Sequence, residues 1–150
     1  MEKKIVQVQE RTQQLIRQLL NVWESSVRAT HDFLSEEEII KIREYVPMAI
    51  ENVEYLIIAE KEFGEPVAFM GIDSNRLEML FLSPEARGKG LGKRLLQYGI
   101  ETYNIQELTV NEQNPQAVGF YEHMGFQTYK RTEYDEEGNP YPLLYMRLSR

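Results

Sequence analysis

Three glycines at alternate positions, Gly88, Gly90 and Gly92, sit among four cations, Arg87, Lys89, Lys93 and Arg94, in a chain of formal net charge −7. Glycine has no Cβ, so the main-chain N–H groups of such a stretch lie open to a ligand. Leu91, Leu95, Leu96, Tyr98 and Ile100 follow at helical spacing. The glycines therefore stand at a helix N-terminus, where the first N–H groups are unpaired and the helix dipole is positive. Both features favour an anion, and a diphosphate is the usual tenant. In front of the loop, Leu77–Leu82 has the composition and length of one strand. Ser83–Pro84 ends it, because Pro cannot donate to a ladder and restricts its predecessor.

Spacing separates three phosphate-loop readings. A P-loop requires G-x-x-x-x-G-K and then a Ser or Thr hydroxyl for Mg²⁺. Here Gly88 to Gly92–Lys93 is one residue short, and Arg94 occupies the hydroxyl position. The dinucleotide fingerprint G-x-G-x-x-G fails as well, since Lys93 stands where its third glycine belongs. The acyl-CoA pattern (Gln or Arg, two residues, Gly, one residue, then Gly or Ala) is met in full by Arg87 through Gly92.

This loop, together with a second block, Val110–Phe126 (VNEQNPQAVGFYEHMGF), resembles the GCN5-related N-acetyltransferase (GNAT) family. The resemblance is strong over the second half of the chain. It implies an acetyl-CoA-dependent N-acetyltransferase in which a primary amine attacks directly in a ternary complex. A CoA-binding module without transfer is the alternative. By the same resemblance the main chain of Leu80, Phe81 and Leu82 would pair with the pantetheine amides. Gly88, Lys89, Gly90, Leu91 and Gly92 would hold the diphosphate, with charge added by Arg87 and Lys93. Asn111, Asn114 and Ala117 would lie along the cofactor. Asn114, Ala117 and Tyr121 fit the family's N-x-x-A-x-x-x-Y pattern, which makes Tyr121 the candidate acid. A phenol is still protonated at neutral pH and can donate to a departing thiolate.

Glu78 is the one acid within Leu77–Leu82 and is the first candidate base. Strand alternation puts it opposite Met79 and Phe81, on the side of Leu80 and Leu82. An ion pair with a neighbouring Lys or Arg is its competing use. Glu112 and His31 are further candidates, and an imidazole titrates in a range suited to proton transfer. His31 belongs to a link, Ala29–Leu34, that shapes the acceptor pocket in the family. Trp23, Phe33 and Tyr141 are candidates to line the same pocket. The acceptor is a small-molecule or peptide amine, and family members often pair as homodimers.

Periodicity supplies the elements that hold these residues. Lys4–Gln9 reads as an outer strand and Thr12–Val27 as an amphipathic helix. Ser35 and Glu38 form a capping box for a second helix, whose stripe is Ile39, Ile42, Val46 and Ile50. Pro47 should kink or split that helix. Tyr55–Glu60, Val67–Ile72 and Leu77–Leu82 should form an antiparallel meander. Glu107–Val110, reached through a helix, should run parallel to Leu77–Leu82. A short helix, Gln116–Met124, and a final strand pair, Phe126–Tyr134 and Pro142–Leu148, complete the order β-α-α-β-β-β-α-β-α-β-β. The expected fold class is α/β with a mixed, mostly antiparallel seven-stranded sheet and about four helices. This is also the order of the GNAT fold.

At 150 residues the expectation is a single domain, 1–150. No run is apolar enough to span a membrane, and MEKKIVQVQE has no apolar core of a secretory signal. Zero Cys removes disulfides, zinc–thiolate sites and a cysteine nucleophile, in keeping with a cytoplasmic enzyme. Two His are too few for a His-based metal site, so no metal is expected. The acidic balance argues against nucleic acid as a partner.

Overall fold

The computed structural model describes residues 3–149. Seven strands form one sheet: β1 (Lys4–Gln7), β2 (Tyr55–Glu60), β3 (Pro66–Asp73), β4 (Arg76–Leu82), β5 (Glu107–Asn111), β6 (Phe126–Thr132) and β7 (Leu143–Leu148). Their order across the sheet is β1-β2-β3-β4-β5-β7-β6. Every neighbouring pair is antiparallel except β4 and β5. The parallel pair follows from the crossover helix between them, as the sequence implies.

Five helices cover the two faces. α1 (Gln13–Thr30), α2 (Glu36–Arg43) and α3 (Val46–Asn52) lie on one; α4 (Leu91–Tyr103) and α5 (Pro115–His123) lie on the other. α1 starts at its Thr12 cap but runs on to Thr30, taking in residues expected to form a link. The second expected helix is two helices, because Pro47 occupies the first turn of α3, where its missing N–H costs nothing. The break turns Ile42 out to 39% exposure, while Ile39, Val46 and Ile50 stay buried. The capping box of Ser35 and Glu38 forms as read, with Glu38 N–H donating to Ser35 Oγ at 3.1 Å. β1 stops at Gln7, β6 at Thr132, and β7 begins at Leu143, each shorter than its apolar pattern suggests.

One irregularity in the sheet bears on the site. Gly71 pairs with Met79 but Ile72 pairs with Leu77, so Glu78 is left over as a bulge. Leu77, Leu80 and Leu82 consequently share the α4–α5 core, whereas Met79 and Phe81 pack in the α1 core. Strict alternation therefore fails at Glu78.

α4 is seated closely on the sheet at Gly99. A Cβ there would lie 2.5 Å from Ile105 Cδ1 and 3.1 Å from Met70 Cε, both fully buried side chains. Gly99→Val is expected to lower unfolding free energy by about 1–3 kcal/mol through overpacking. Urea denaturation of the variant beside wild type measures it, and an unchanged midpoint would mean that α4 is not held at this depth.

Candidate active site

Pairing between β4 and β5 is confined to Arg76↔Glu107 and Leu77↔Leu108. Beyond those two pairs the strands part. Neither frays, because β3 still pairs with β4 as far as Leu82 and β7 pairs with β5 as far as Asn111. The facing edges, Glu78–Leu82 and Thr109–Asn111, are strand edges inside a sheet. Such edges can accept an extended ligand that carries its own amides.

A cleft of about 350 Å³ lies along the β4 edge of this gap. Leu80, Phe81 and Leu82 form one wall; Asn114, Ala117 and Tyr121 of α5 form another; Arg87, Gly88, Gly90, Leu91 and Gly92 close one end. All of these are residues that the family resemblance assigns to the cofactor. Gly88 and Gly90 have φ of +75° and +79°, and Gly90 is the N-cap of α4, with no side chain capping the helix. Only glycine adopts that backbone without strain, and the first N–H groups of α4 stay free for an anion. Arg87 leans across the mouth, its Nη2 donating to Gln116 Oε1 at 3.3 Å. Lys89 and Lys93 are exposed and do not line the cleft. They contribute charge near its end, not a wall.

α5 is set by the residues the motif supplies. Asn114 Oδ1 accepts from Ala117 N–H at 3.3 Å, and Pro115 takes the first helical position. Tyr121 then faces the cleft, with its ring edge-on to Phe120 and Phe126 at centroid distances of 5.3 and 6.1 Å. Burial pushes its phenol well above the ordinary tyrosine range, so it remains protonated. Asn111 lies outside the cleft wall, and its Oδ1 accepts from Gln113 N–H at 2.9 Å in the turn that leads to α5.

The C-terminal turn of α1 supplies a further wall: Ser26 and Thr30, which the motifs did not announce, and His31, a candidate base and acceptor-pocket residue from the sequence. The available signal was a pair of hydroxyl residues four apart next to a His, on a helix face that is otherwise apolar. Arg28 helps to hold the following link, with Nη2 2.8 Å from Glu36 Oε1. Burial, then the positive charge of Arg87, lowers the pKa of His31, with Asp32 opposing. Phe33 does not line the cleft but stacks between His31 and Tyr141, at 5.3 and 5.8 Å, and so bridges the α1–α2 and β6–β7 links. Trp23, a candidate for the acceptor pocket, is 4% exposed in the α1 core and lines neither depression. Its spacing on the apolar face of α1 explains that place.

The remaining candidates lie elsewhere. Glu78 lines a second depression with Arg76, Thr109, Leu143 and the turn Asp135–Glu137. Thr109 and Leu143 alternate with residues of the α4–α5 core, so Glu78 opens on the opposite face from Leu80 and Leu82. The bulge is the cause. Its carboxylate is 3.5 Å from Arg76 Nε. Burial raises its pKa against the pull of Arg76, and Asp73 and Glu136 raise it further. Glu112 is engaged by Arg131 at 2.7 and 3.0 Å and held below the ordinary carboxylate range. It is a poor base. Among the described residues no cluster of three or more His, Asp or Glu is placed to hold a metal ion, and no helix is long and apolar enough to cross a membrane.

Open amides at a helix start, left-handed glycines, nearby cations and an unpaired strand edge fit the diphosphate and amide-bearing arm of acetyl-CoA. Comparison with known proteins agrees. A profile of the acetyltransferase (GNAT) domain matches residues 24–148. The peptidyl-lysine N-acetyltransferase YjaB of Salmonella typhimurium is 41% identical over 126 residues, covering 84% of this chain and 86% of the relative. YjaB of Escherichia coli is 39% identical over 127 residues, covering 85% and 86%. The solution structure of apo YjaB from Escherichia coli superposes with a TM-score of 0.87 at 35% identity, covering 98% of this chain and 97% of that one. At 22% identity, a PaiA N-acetyltransferase from Thermoplasma acidophilum in complex with coenzyme A shares the fold, with a TM-score of 0.73 and full coverage of both chains. The alternative of a binding module without transfer gives way to these relatives. The chain belongs to the GNAT family and is an N-acetyltransferase that uses acetyl-CoA.

Proposed function

We propose that the chain acetylates the ε-amine of lysine in a peptide or protein, by direct attack in a ternary complex, with Tyr121 as acid and Glu78 as base. The observation that carries this reading is that a cleft along Leu80–Leu82 and a second depression at Glu78 and Thr109 both adjoin the stretch where β4 and β5 part. One has the open amides and the Arg87 guanidinium suited to the acyl donor. The other has an acidic rim, Glu78 with Asp135, Glu136 and Glu137, suited to a cationic side chain. The names of the YjaB relatives, peptidyl-lysine N-acetyltransferases, support the same acceptor class.

Acetyl-CoA supplies the activated acetyl thioester; the chain supplies position and protons. Unpaired main-chain groups of Leu80–Leu82 align the donor arm, and an N–H on this edge can donate to oxygen as negative charge develops. Glu78 takes a proton from the acceptor ammonium, since the amine needs a free lone pair to attack. A carboxylate with a raised pKa is better matched to that task than an ordinary one. Tyr121 holds its proton within the cleft, available to the sulfur as it leaves.

The direct test is an Nα-blocked peptide with one lysine, incubated with acetyl-CoA and read by mass and by thiol release, beside its Lys→Arg twin. Acetylation of the lysine peptide alone is expected, and equal thiol release from both would remove the lysine assignment. Tyr121→Phe should lower kcat by about 100-fold or more with little change in the KM for acetyl-CoA. A variant with full turnover would end the acid role. For Glu78, kcat/KM should rise with pH through a carboxylate pKa above the usual Glu range, and Glu78→Gln should lose that limb. Because the folded protein holds the Glu78 proton more tightly than the unfolded chain, ionisation costs stability as pH rises. The Gln variant should therefore melt no lower than wild type at neutral pH, which thermal unfolding at two pH values will check.

A further inference from the structure

His31 is half-buried at the end of α1, shares the cleft with Arg87, Gly88 and Gly90, and has a defined tautomer. Thr30 Oγ1 lies 2.8 Å from Ser26 O and 2.7 Å from His31 Nδ1. A carbonyl cannot donate, so the single hydroxyl proton of Thr30 goes to Ser26 O. Nδ1 is then the N–H that donates to Thr30, and Nε2 carries the lone pair. The ring is fixed further by Phe33, and the chain behind it by His31 N–H donating to Val27 O at 2.8 Å. His31 thus lines the cleft with an oriented ring, and Arg87 of the loop is the cation whose charge acts on it.

We propose that His31 is a cofactor-binding residue whose Nε2 takes up a proton as the CoA diphosphate settles on the glycine turn, the imidazolium then pairing with that anion. The inference rests on the acetyl-CoA reading of the cleft. The charged groups facing the ring are Arg87 from the loop and Asp32 from its own link; Thr30, Phe33 and the protonated phenol of Tyr121 are the other neighbours in the cleft and link. In the free protein, burial and Arg87 both disfavour the imidazolium, and Asp32 offsets them only in part. A diphosphate beside Arg87 reverses the sign of the local field and favours it. Binding and protonation are then linked: the cofactor binds more tightly as pH falls, and its binding draws a proton from solution.

Titration calorimetry with 3′-dephospho-CoA tests this, because that ligand keeps the diphosphate and lacks the phosphate monoester that itself titrates near pH ~6. Run in buffers of differing ionisation enthalpy, wild type should show proton uptake and a Kd that tightens severalfold from about pH 8 to about pH 6. His31→Gln should bind with buffer-independent heat and a flat pH dependence. Uptake retained in the Gln variant, or wild-type binding with no uptake, would overturn the proposal while leaving the cofactor reading in place. No heat at all from folded wild type, with this ligand or with CoA, would overturn both.

Discussion

The site depends on two strands that begin paired and then separate. Main-chain N–H and C=O groups left unpaired inside a sheet are costly, and native proteins seldom tolerate them. Here β4 and β5 part after Leu77↔Leu108, yet each is held by its other neighbour, β3 or β7. The gap survives because the remaining ladders and the packing of α4 and α5 against the sheet resist its closure. What is a defect in the ladder leaves an edge of the kind that can accept a ligand with its own peptide-like arm. Recognition of that kind depends on backbone position, so it constrains the path of β4 more than the side chains on it.

Around this gap, charge is arranged against the grain of the whole molecule. The chain carries net −7, but the end of the cleft at the glycine turn is ringed by helix-terminal amides and by Arg87, while the second depression is rimmed by carboxylates. The titratable groups differ by environment, not by type. Burial keeps Tyr121 protonated, raises Glu78, and holds His31 toward the neutral form. Glu112, beside a guanidinium, is held ionised. The protonation of these four groups is thus set by desolvation and nearest charge.

The bulge at Glu78 shows how a small irregularity redirects chemistry. In a regular strand this carboxylate would share the donor face with Leu80 and Leu82. One extra residue against β3 turns it to the other face, beside Thr109 and the β6–β7 turn. Glu78 then lines a depression separate from the cleft bounded by Leu80–Leu82.

The sequence by itself determined the local features: the glycine turn and the helix after it, the Ser35 and Asn114 caps, the helix break at Pro47, and the apolar periodicity that set seven strands and their order. These are decided by steric limits and hydrogen bonding within a few residues, so they can be read from neighbours in the chain. The wall of the cleft could be named for the same reason, since its residues fall in two short motifs. Other features were decided only by the tertiary structure. Whether Trp23 fills the core or lines a pocket depends on what packs against α1, and whether Glu112 is free depends on Arg131, nineteen residues away. The facing of Glu78 depends on the register with β3, and the entry of Ser26, Thr30 and His31 into the cleft depends on where the end of α1 comes to lie. Each of these turns on contacts between segments distant in the chain, and no spacing along it encodes which of them will meet.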